Sequence, residues 1–233
     1  MENRFNIKAI ITAGGSGKRM NHRLKKQFIK LFGRPILFWT IDKFIQLNCI
    51  DKLIITLPKE DMIEVYDLIA AEYNIKKFKL VAGGKERQDS VLRALQSCNS
   101  KTDIVLIHDA VRPFITKADI IELIEICKQQ KAVILAKKVK NTLKTVKNKQ
   151  IVRTIDRSEL YHAYTPQAFD FRLIKYYHEK ARRDKLHFTD DAAILENFGQ
   201  KVYILVSDTL NFKITDKNDL ELARLLINKE NDN

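Results

Sequence analysis

The chain has 233 residues, 45% hydrophobic and 30% charged, with 42 Lys and Arg against 29 Asp and Glu and a formal net charge of +13. That balance excludes a wholly disordered chain and allows one sizeable core without staples. Cys49, Cys98 and Cys127 form no CxxC pair, the N-terminus lacks an apolar h-region, and no run nears ~18 apolar residues; a soluble, cytoplasmic protein without disulfides or zinc is the expectation.

The first apolar run, Ile7–Thr12, reads as a buried strand and ends in the cluster Ala13-Gly14-Gly15-Ser16-Gly17. A glycine-rich loop after the first strand of an α/β sheet lets backbone N–H groups approach phosphate oxygens. A dinucleotide fingerprint fails here, because Met20 stands where its third glycine is needed and Leu57-Pro58 where an acid would close the second strand. A P-loop fails too: Gly14 and Gly17 enclose only two residues, and Lys18 is followed by Arg19. Residues 18–26 then carry Lys18, Arg19, Arg23, Lys25 and Lys26 with no acid, a local +5 that a purely structural turn would not explain.

Further along, strands and helices alternate. Pro35 opens a helix reaching about Leu47; Leu53–Leu57 is a strand stopped by Pro58, and Glu60–Tyr73 its helix. Phe78–Ala82 is a strand closed by Gly83-Gly84, and Glu86–Gln96 the helix after it. The intervening GGKERQDS repeats the logic of glycines, cation and hydroxyl at a helix start, and a plain capped loop is the competing reading. Asp103–His108 is a fourth strand, followed by His108-Asp109-Ala110-Val111-Arg112-Pro113 at the end where ligands collect in such sheets. Asp109 suits a metal or a ribose hydroxyl and Arg112 a phosphate, against the alternative of a structural ion pair; His108 suits orientation of the loop rather than catalysis. Thr116–Gln130 is an amphipathic helix with Thr116 as N-cap, and Ala132–Ala136 a fifth strand. Continuous apolar strands separated by helices signal a parallel sheet covered on both faces.

The rhythm breaks at residues 137–163, which are polar, basic and alternating. Lys137, Lys138, Lys140, Lys144, Lys147, Lys149, Arg153 and Arg157 face only Asp156, so residues 137–157 carry +7 and, with 18–26, twelve of the thirteen net charges. The stretch reads as an exposed hairpin too poor in apolar side chains to fold alone, and so an arm that packs on a second copy of the chain. Helices over Phe171–Arg183 and Asp190–Phe198, a strand at Val202–Val206, a short Asn211–Ile214 segment and a helix from about Asp216 to Asn228 follow. One domain spans 1–233, with the arm at about 137–163. Two such basic patches suit nucleic acid, an anionic membrane surface or a small polyanionic substrate; the arm's lack of interleaved aromatics and of any nucleic-acid reading motif speaks against the first.

Taken in order, Ala13–Met20, Lys26-Gln27, Glu86-Arg87-Gln88-Asp89-Ser90-Val91, His108–Pro113, Thr165-Pro166-Gln167, Thr189-Asp190-Asp191-Ala192 and Phe212-Lys213-Ile214-Thr215 closely resemble the 2-C-methyl-D-erythritol 4-phosphate cytidylyltransferases of the non-mevalonate isoprenoid pathway. The likeness covers essentially the whole chain. The sibling ribitol-5-phosphate cytidylyltransferases share the first loop and His108–Pro113 but tend to differ at Gln88-Asp89-Ser90 and Asp191-Ala192-Ala193. The resemblance implies a Rossmann-like nucleotidyltransferase fold, a mostly parallel central sheet flanked by helices with an extended β-arm, and a homodimer joined by that arm.

By the resemblance, Arg19, Lys26 and Lys213 are catalytic, gripping the CTP triphosphate and its transition state. Ala13, Gly14, Gly15, Ser16, Gly17, Gly84, Arg87 and Ser90 bind CTP. Asp109, Arg112, Thr142, Arg157, Thr165 and Thr189 meet the polyol phosphate, Thr142 and Arg157 reaching in from the partner's arm. Mg²⁺ is the implied cofactor, held mainly by the CTP phosphates with Asp109 nearby. Departures from the family pattern are Gly14 for a second Ala, Lys85 for an acid, Asn141 for an Asp, Phe212 for an Ile, and Asp216-Lys217-Asn218 for Thr-Pro-Glu; none removes an implied catalytic cation. A phosphate nucleophile is already anionic at neutral pH, which accounts for a sequence offering cations and hydroxyls rather than a nucleophile with a base.

Overall fold

The computed structural model describes residues 4–14 and 28–231. Its centre is a seven-stranded sheet in the order β11-β7-β10-β6-β1-β4-β5. The strands are β1 (Ile7–Thr12), β4 (Lys52–Leu57), β5 (Phe78–Ala82), β6 (Ile104–Asp109), β7 (Ala132–Lys138), β10 (Tyr161–Asp170) and β11 (Tyr203–Val206). Parallel pairing joins β4 to β5, β1 to β4 and β6, and β7 to β11. Two short strands, β2 (Lys30–Leu31) and β3 (Arg34–Pro35), form a separate hairpin.

The unbroken apolar runs are explained by burial on both faces. Ala9, Ile11, Leu53, Ile55 and Leu106 turn one way, onto α1 (Ile36–Ile45), α2 (Met62–Glu72) and α4 (Lys117–Gln130). Their neighbours Ile10, Ile54, Val105 and Ile107 turn the other way, onto α3 (Arg87–Gln96), α5 (Phe171–Arg183) and α6 (Asp191–Asn197). Side chains alternate across a strand, so a strand covered on both sides reads as continuous hydrophobe. A third, smaller core gathers Ile29, Leu31 and Ile36 with Ile214 and with Leu220, Ala223 and Ile227 of α7 (Lys217–Asn231). Thr116 caps α4, its hydroxyl accepting the Asp119 N–H at 3.1 Å.

The mostly parallel sheet is as the sequence indicates, with one strand that it does not indicate. β10 lies antiparallel between β6 and β7, near the middle of the sheet. Its sequence, YHAYTPQAFD, has no sustained apolar run, and Pro166 cannot donate to a ladder. A proline in a central strand sits at an irregularity, and here the pairing with β7 shifts register between Ala163 and Gln167. That break turns the side chain of Thr165 out of the ladder and into the site described below.

The arm is a hairpin of β8 (Leu143–Lys147) and β9 (Gln150–Ile155) carried on the exposed ends of β7 and β10. The predicted stretch 137–163 therefore splits in two, because Lys137, Lys138 and Tyr161–Ala163 belong to the main sheet. Val146, Ile151 and Val152 stand exposed on the hairpin.

Candidate active site

The carboxyl ends of β1, β5 and β6 converge with the break in β10 and the segment 211–214. After β5 the chain turns tightly: Gly83 N–H donates to the Leu57 carbonyl (2.7 Å) and Gly84 N–H to Ser90 Oγ (3.0 Å), while the Ser90 hydroxyl donates to the Glu86 carbonyl (3.0 Å). A side chain on Gly84 would overlap Cβ of Asp89; close approach, not backbone freedom, demands glycine there. Gly84→Ala is expected to cost about 1–3 kcal/mol in urea unfolding, the range for overpacking, and to raise the KM for the nucleotide. Unchanged values for both would remove Gly84 from the site. Gly14, two residues after β1, lies against the same helix start, since a Cβ there would stand 3.5 Å from Ser90 Oγ. Ala13 is buried, its N–H held by the Thr56 carbonyl at 2.9 Å.

Asp109, the last residue of β6, is the electrostatic centre. Its carboxylate accepts Lys213 Nζ at 2.9 Å, Arg87 Nε at 3.2 Å and Arg112 Nε at 3.3 Å, with the Thr12 hydroxyl at 3.4 Å. Burial alone would raise its pKa; Arg87, Lys213 and Arg112 outweigh burial and hold it far below the usual carboxylate range. It is therefore a permanent anion. Arg112 is fixed on three sides, by Asp109, by the Asn211 carbonyl (2.9 Å) and by the Tyr164 ring 4.9 Å away. Lys213 keeps 39% of its side chain exposed, so it is the cation of the three most open to a ligand.

Beneath them His108 is fully buried. Thr165 Oγ1 accepts the Asp109 N–H (3.1 Å), and its own proton goes to His108 Nδ1 (3.0 Å). That leaves His108 Nε2–H to donate to the Arg112 carbonyl at 3.1 Å. Burial pushes the imidazole pKa down to about 3, so the ring is a neutral strut that fixes the loop, as the sequence suggests. Asn211 closes the ring of contacts, Nδ2 donating to the Thr165 carbonyl at 2.7 Å.

Of the residues picked out by sequence, the structure thus joins Gly14, Gly84, Arg87, Ser90, Asp109, Arg112, Thr165 and Lys213 into one site. Thr189 is exposed, immediately before Asp190, whose carboxylate takes Gln167 Nε2 at 2.9 Å. Thr142 and Arg157 stand apart on the arm, both exposed, with Arg157 donating to the Lys140 carbonyl; neither is bonded to the Asp109 cluster. Gly15, Ser16, Gly17, Arg19 and Lys26 lie outside the described residues. The structure adds Asp191, His178, Gln167 and Asn211, all buried. Gln167 and Asp191 stand inside quoted motifs without an assigned role; His178, on a lysine- and arginine-rich helix, carries no sequence signal. Among the described residues no three His, Cys, Asp or Glu side chains gather into a metal-ligand set.

A family model described as 2-C-methyl-D-erythritol 4-phosphate cytidylyltransferase matches residues 7–229. The chain belongs to that family. A cytidylyltransferase of that description from Clostridioides difficile (strain 630) is 39% identical over 221 residues, covering 95% of this chain and 93% of its own. One from Clostridium beijerinckii is 41% identical over 222 residues, covering 95% and 98%. The crystal structure of a 4-diphosphocytidyl-2C-methyl-D-erythritol synthase from Anaerococcus prevotii superposes with a TM-score of 0.85 at 31% identity, over 97% of this chain and all of that one. The Rossmann-like sheet with its arm is thus the cytidylyltransferase fold, and the Asp109 cluster lies at its strand ends, where such folds bind ligands.

Proposed function

We propose that the protein transfers the cytidylyl group of CTP to 2-C-methyl-D-erythritol 4-phosphate, giving 4-diphosphocytidyl-2-C-methyl-D-erythritol and pyrophosphate. The observation that supports this most is the ionised Asp109 with Lys213, Arg87 and Arg112 around it. Two polyanions must be brought together, and the attacking phosphate oxygen needs no base; positioning and charge stabilisation are what the reaction asks of a protein. In this reading Arg19 and Lys26 hold the triphosphate, and Lys213 turns from Asp109 to the α-phosphate as charge builds there. Ala13 to Gly17, Gly84, Arg87 and Ser90 receive CTP. Arg112, Thr165 and Thr189 receive the polyol phosphate, joined by Thr142 and Arg157 of the partner's arm in a homodimer.

Mg²⁺ fits as a cation carried in by the CTP phosphates, because a small hard ion takes one or two carboxylates plus substrate phosphates and Asp109 offers a single carboxylate. Such an ion neutralises phosphate charge. Asp109 would reach it only after giving up a cation, and Lys213 is the one with an exposed side chain to give. We place the protein in the cytoplasm; among the described residues no helix is long and apolar enough to cross a membrane.

Pyrophosphate release with Mg²⁺ is the test, run across CTP, UTP and ATP against methylerythritol phosphate and ribitol 5-phosphate. Release with CTP and methylerythritol phosphate, a mass of two chains by light scattering, and loss of turnover with chelator are expected. Preference for ribitol phosphate would overturn the acceptor, and a monomer of full activity would overturn the arm's role.

A further inference from the structure

Arg87 is held from behind. It opens α3, and while Nε meets Asp109, Nη1 meets Asp191 at 2.7 Å. Asp191, at the start of α6, is 1% exposed, and its second oxygen accepts Nε2–H of His178 on α5 at 3.1 Å. His178 is itself fully buried, and its Nδ1 has no partner among the described residues. Gln167 of β10 fixes the backbone around Asp191, Oε1 accepting the N–H groups of Asp191 (3.1 Å) and Ala192 (3.2 Å). The remaining nitrogen of Arg87, Nη2, is buried without a partner among the described residues.

Resting on the reaction proposed above, we infer that Asp191 and His178 form a positioning clamp: they hold Arg87 so that Asp109 stays in place when Lys213 leaves it for phosphate. The charge arrangement requires something of this kind. Asp109 is shared by three cations, two of which are wanted by incoming phosphates. If all three could follow the ligand, the buried carboxylate would be left uncompensated, which is strongly unfavourable. Asp191 prevents that by anchoring the one guanidinium that bridges both carboxylates, through the rigid fork that lysine lacks. The unused Nη2 adjoins Nε on the edge that meets Asp109, a spare donor for the oxygen that Lys213 vacates. His178 does not touch the cluster; it orients Asp191, as outer partners orient the groups that do the work.

The test is steady-state kinetics of the full-length enzyme with CTP and the polyol phosphate, on Asp191→Asn, Arg87→Lys, their double variant, and His178→Leu against His178→Gln. Each sample is shown folded by thermal unfolding well above the assay temperature. The clamp requires kcat to fall about 10- to 100-fold in Asp191→Asn with KM for CTP within threefold; in Arg87→Lys kcat should fall as far, with KM for CTP raised as well because Arg87 also receives CTP. The double variant should fall no further than the worse single, because residues acting through one another are non-additive. His178→Leu should lower kcat, and His178→Gln, which keeps an N–H donor, should recover most of it. A folded Asp191→Asn or His178→Leu enzyme with kcat within threefold of the parent, or losses that multiply, would overturn the clamp. If Asp191→Asn does not fold, Arg87→Lys and the His178 pair decide in the same way. A parent enzyme that turns over only another acceptor would sink the assigned reaction but leave the clamp to be judged on that acceptor.

Discussion

Replacing Lys213 with alanine is expected to lower kcat by on the order of 10²–10³, the usual cost of removing one group that stabilises transition-state charge. Stability should barely change. The ammonium sits 2.9 Å from Asp109 but is 39% exposed, and partly exposed pairs contribute under about 1 kcal/mol. Asp109 also keeps Arg87 and Arg112 after the substitution, so no buried charge is stranded. The midpoint of thermal unfolding should therefore move by no more than about 4 °C for a chain of this length. Pyrophosphate release at saturating substrates measures the first quantity and a melting curve the second. Wild-type turnover would remove Lys213 from the reaction; a collapsed melting curve would make it a structural residue.

What makes Lys213 placeable is the chain around it. Ile214 N–H bonds the Val111 carbonyl at 2.9 Å, tying the segment to the loop after β6, and Phe212 stacks on Phe114 with ring centres 5.1 Å apart. Ile214 itself sits in the third core with α7 and with Ile29 and Leu31. That same core holds Ile29 and Leu31, which follow the glycine-rich segment in the chain, beside Ile214. Phe212 fits its place by that stack with Phe114.

The parallel part of the sheet was legible because double-sided burial leaves unbroken apolar runs such as AIIT, LIITL and DIVLIH. The site was legible where glycines and charges cluster in short motifs at strand ends. β10 was not, because its pairing is long-range and its one strong local signal, Pro166, argues against a central strand. Lys213 shows a different limit. A lysine in a short extended segment ordinarily faces water, and only the fold brings it to Asp109, 104 positions earlier in the chain. Asp191 and His178 show a third: a buried carboxylate and a buried imidazole acquire meaning from the guanidinium between them and Asp109, which no spacing in the sequence encodes.

His108 gives the protein an acid sensitivity that can be read without substrate. An imidazole has a pKa near 6.5 in the unfolded chain and about 3 in the fold, where burial opposes its charge. Between those values the unfolded chain binds a proton that the folded chain does not, so stability rises with pH across the window. The contribution is complete above pH 6.5 and is lost as the pH falls towards 3. At about 1.4 kcal/mol per unit, the full loss approaches 5 kcal/mol, comparable with the whole stability of a marginal domain. Asp109 and Asp191, both held below the ordinary carboxylate range by Arg87 and its neighbours, add to the loss only below about pH 4, where unfolded carboxylates begin to protonate. Urea unfolding of the parent and of His108→Gln at constant ionic strength from pH 7.5 to 4.5 isolates this histidine from the other four. The parent should lose about 2–3 kcal/mol more than the variant over that range. His108→Gln, which has an acceptor and a donor but no proton to gain, should start less stable at pH 7.5 and show a much flatter dependence. Parallel slopes for the two proteins would mean that His108 is not the group that titrates.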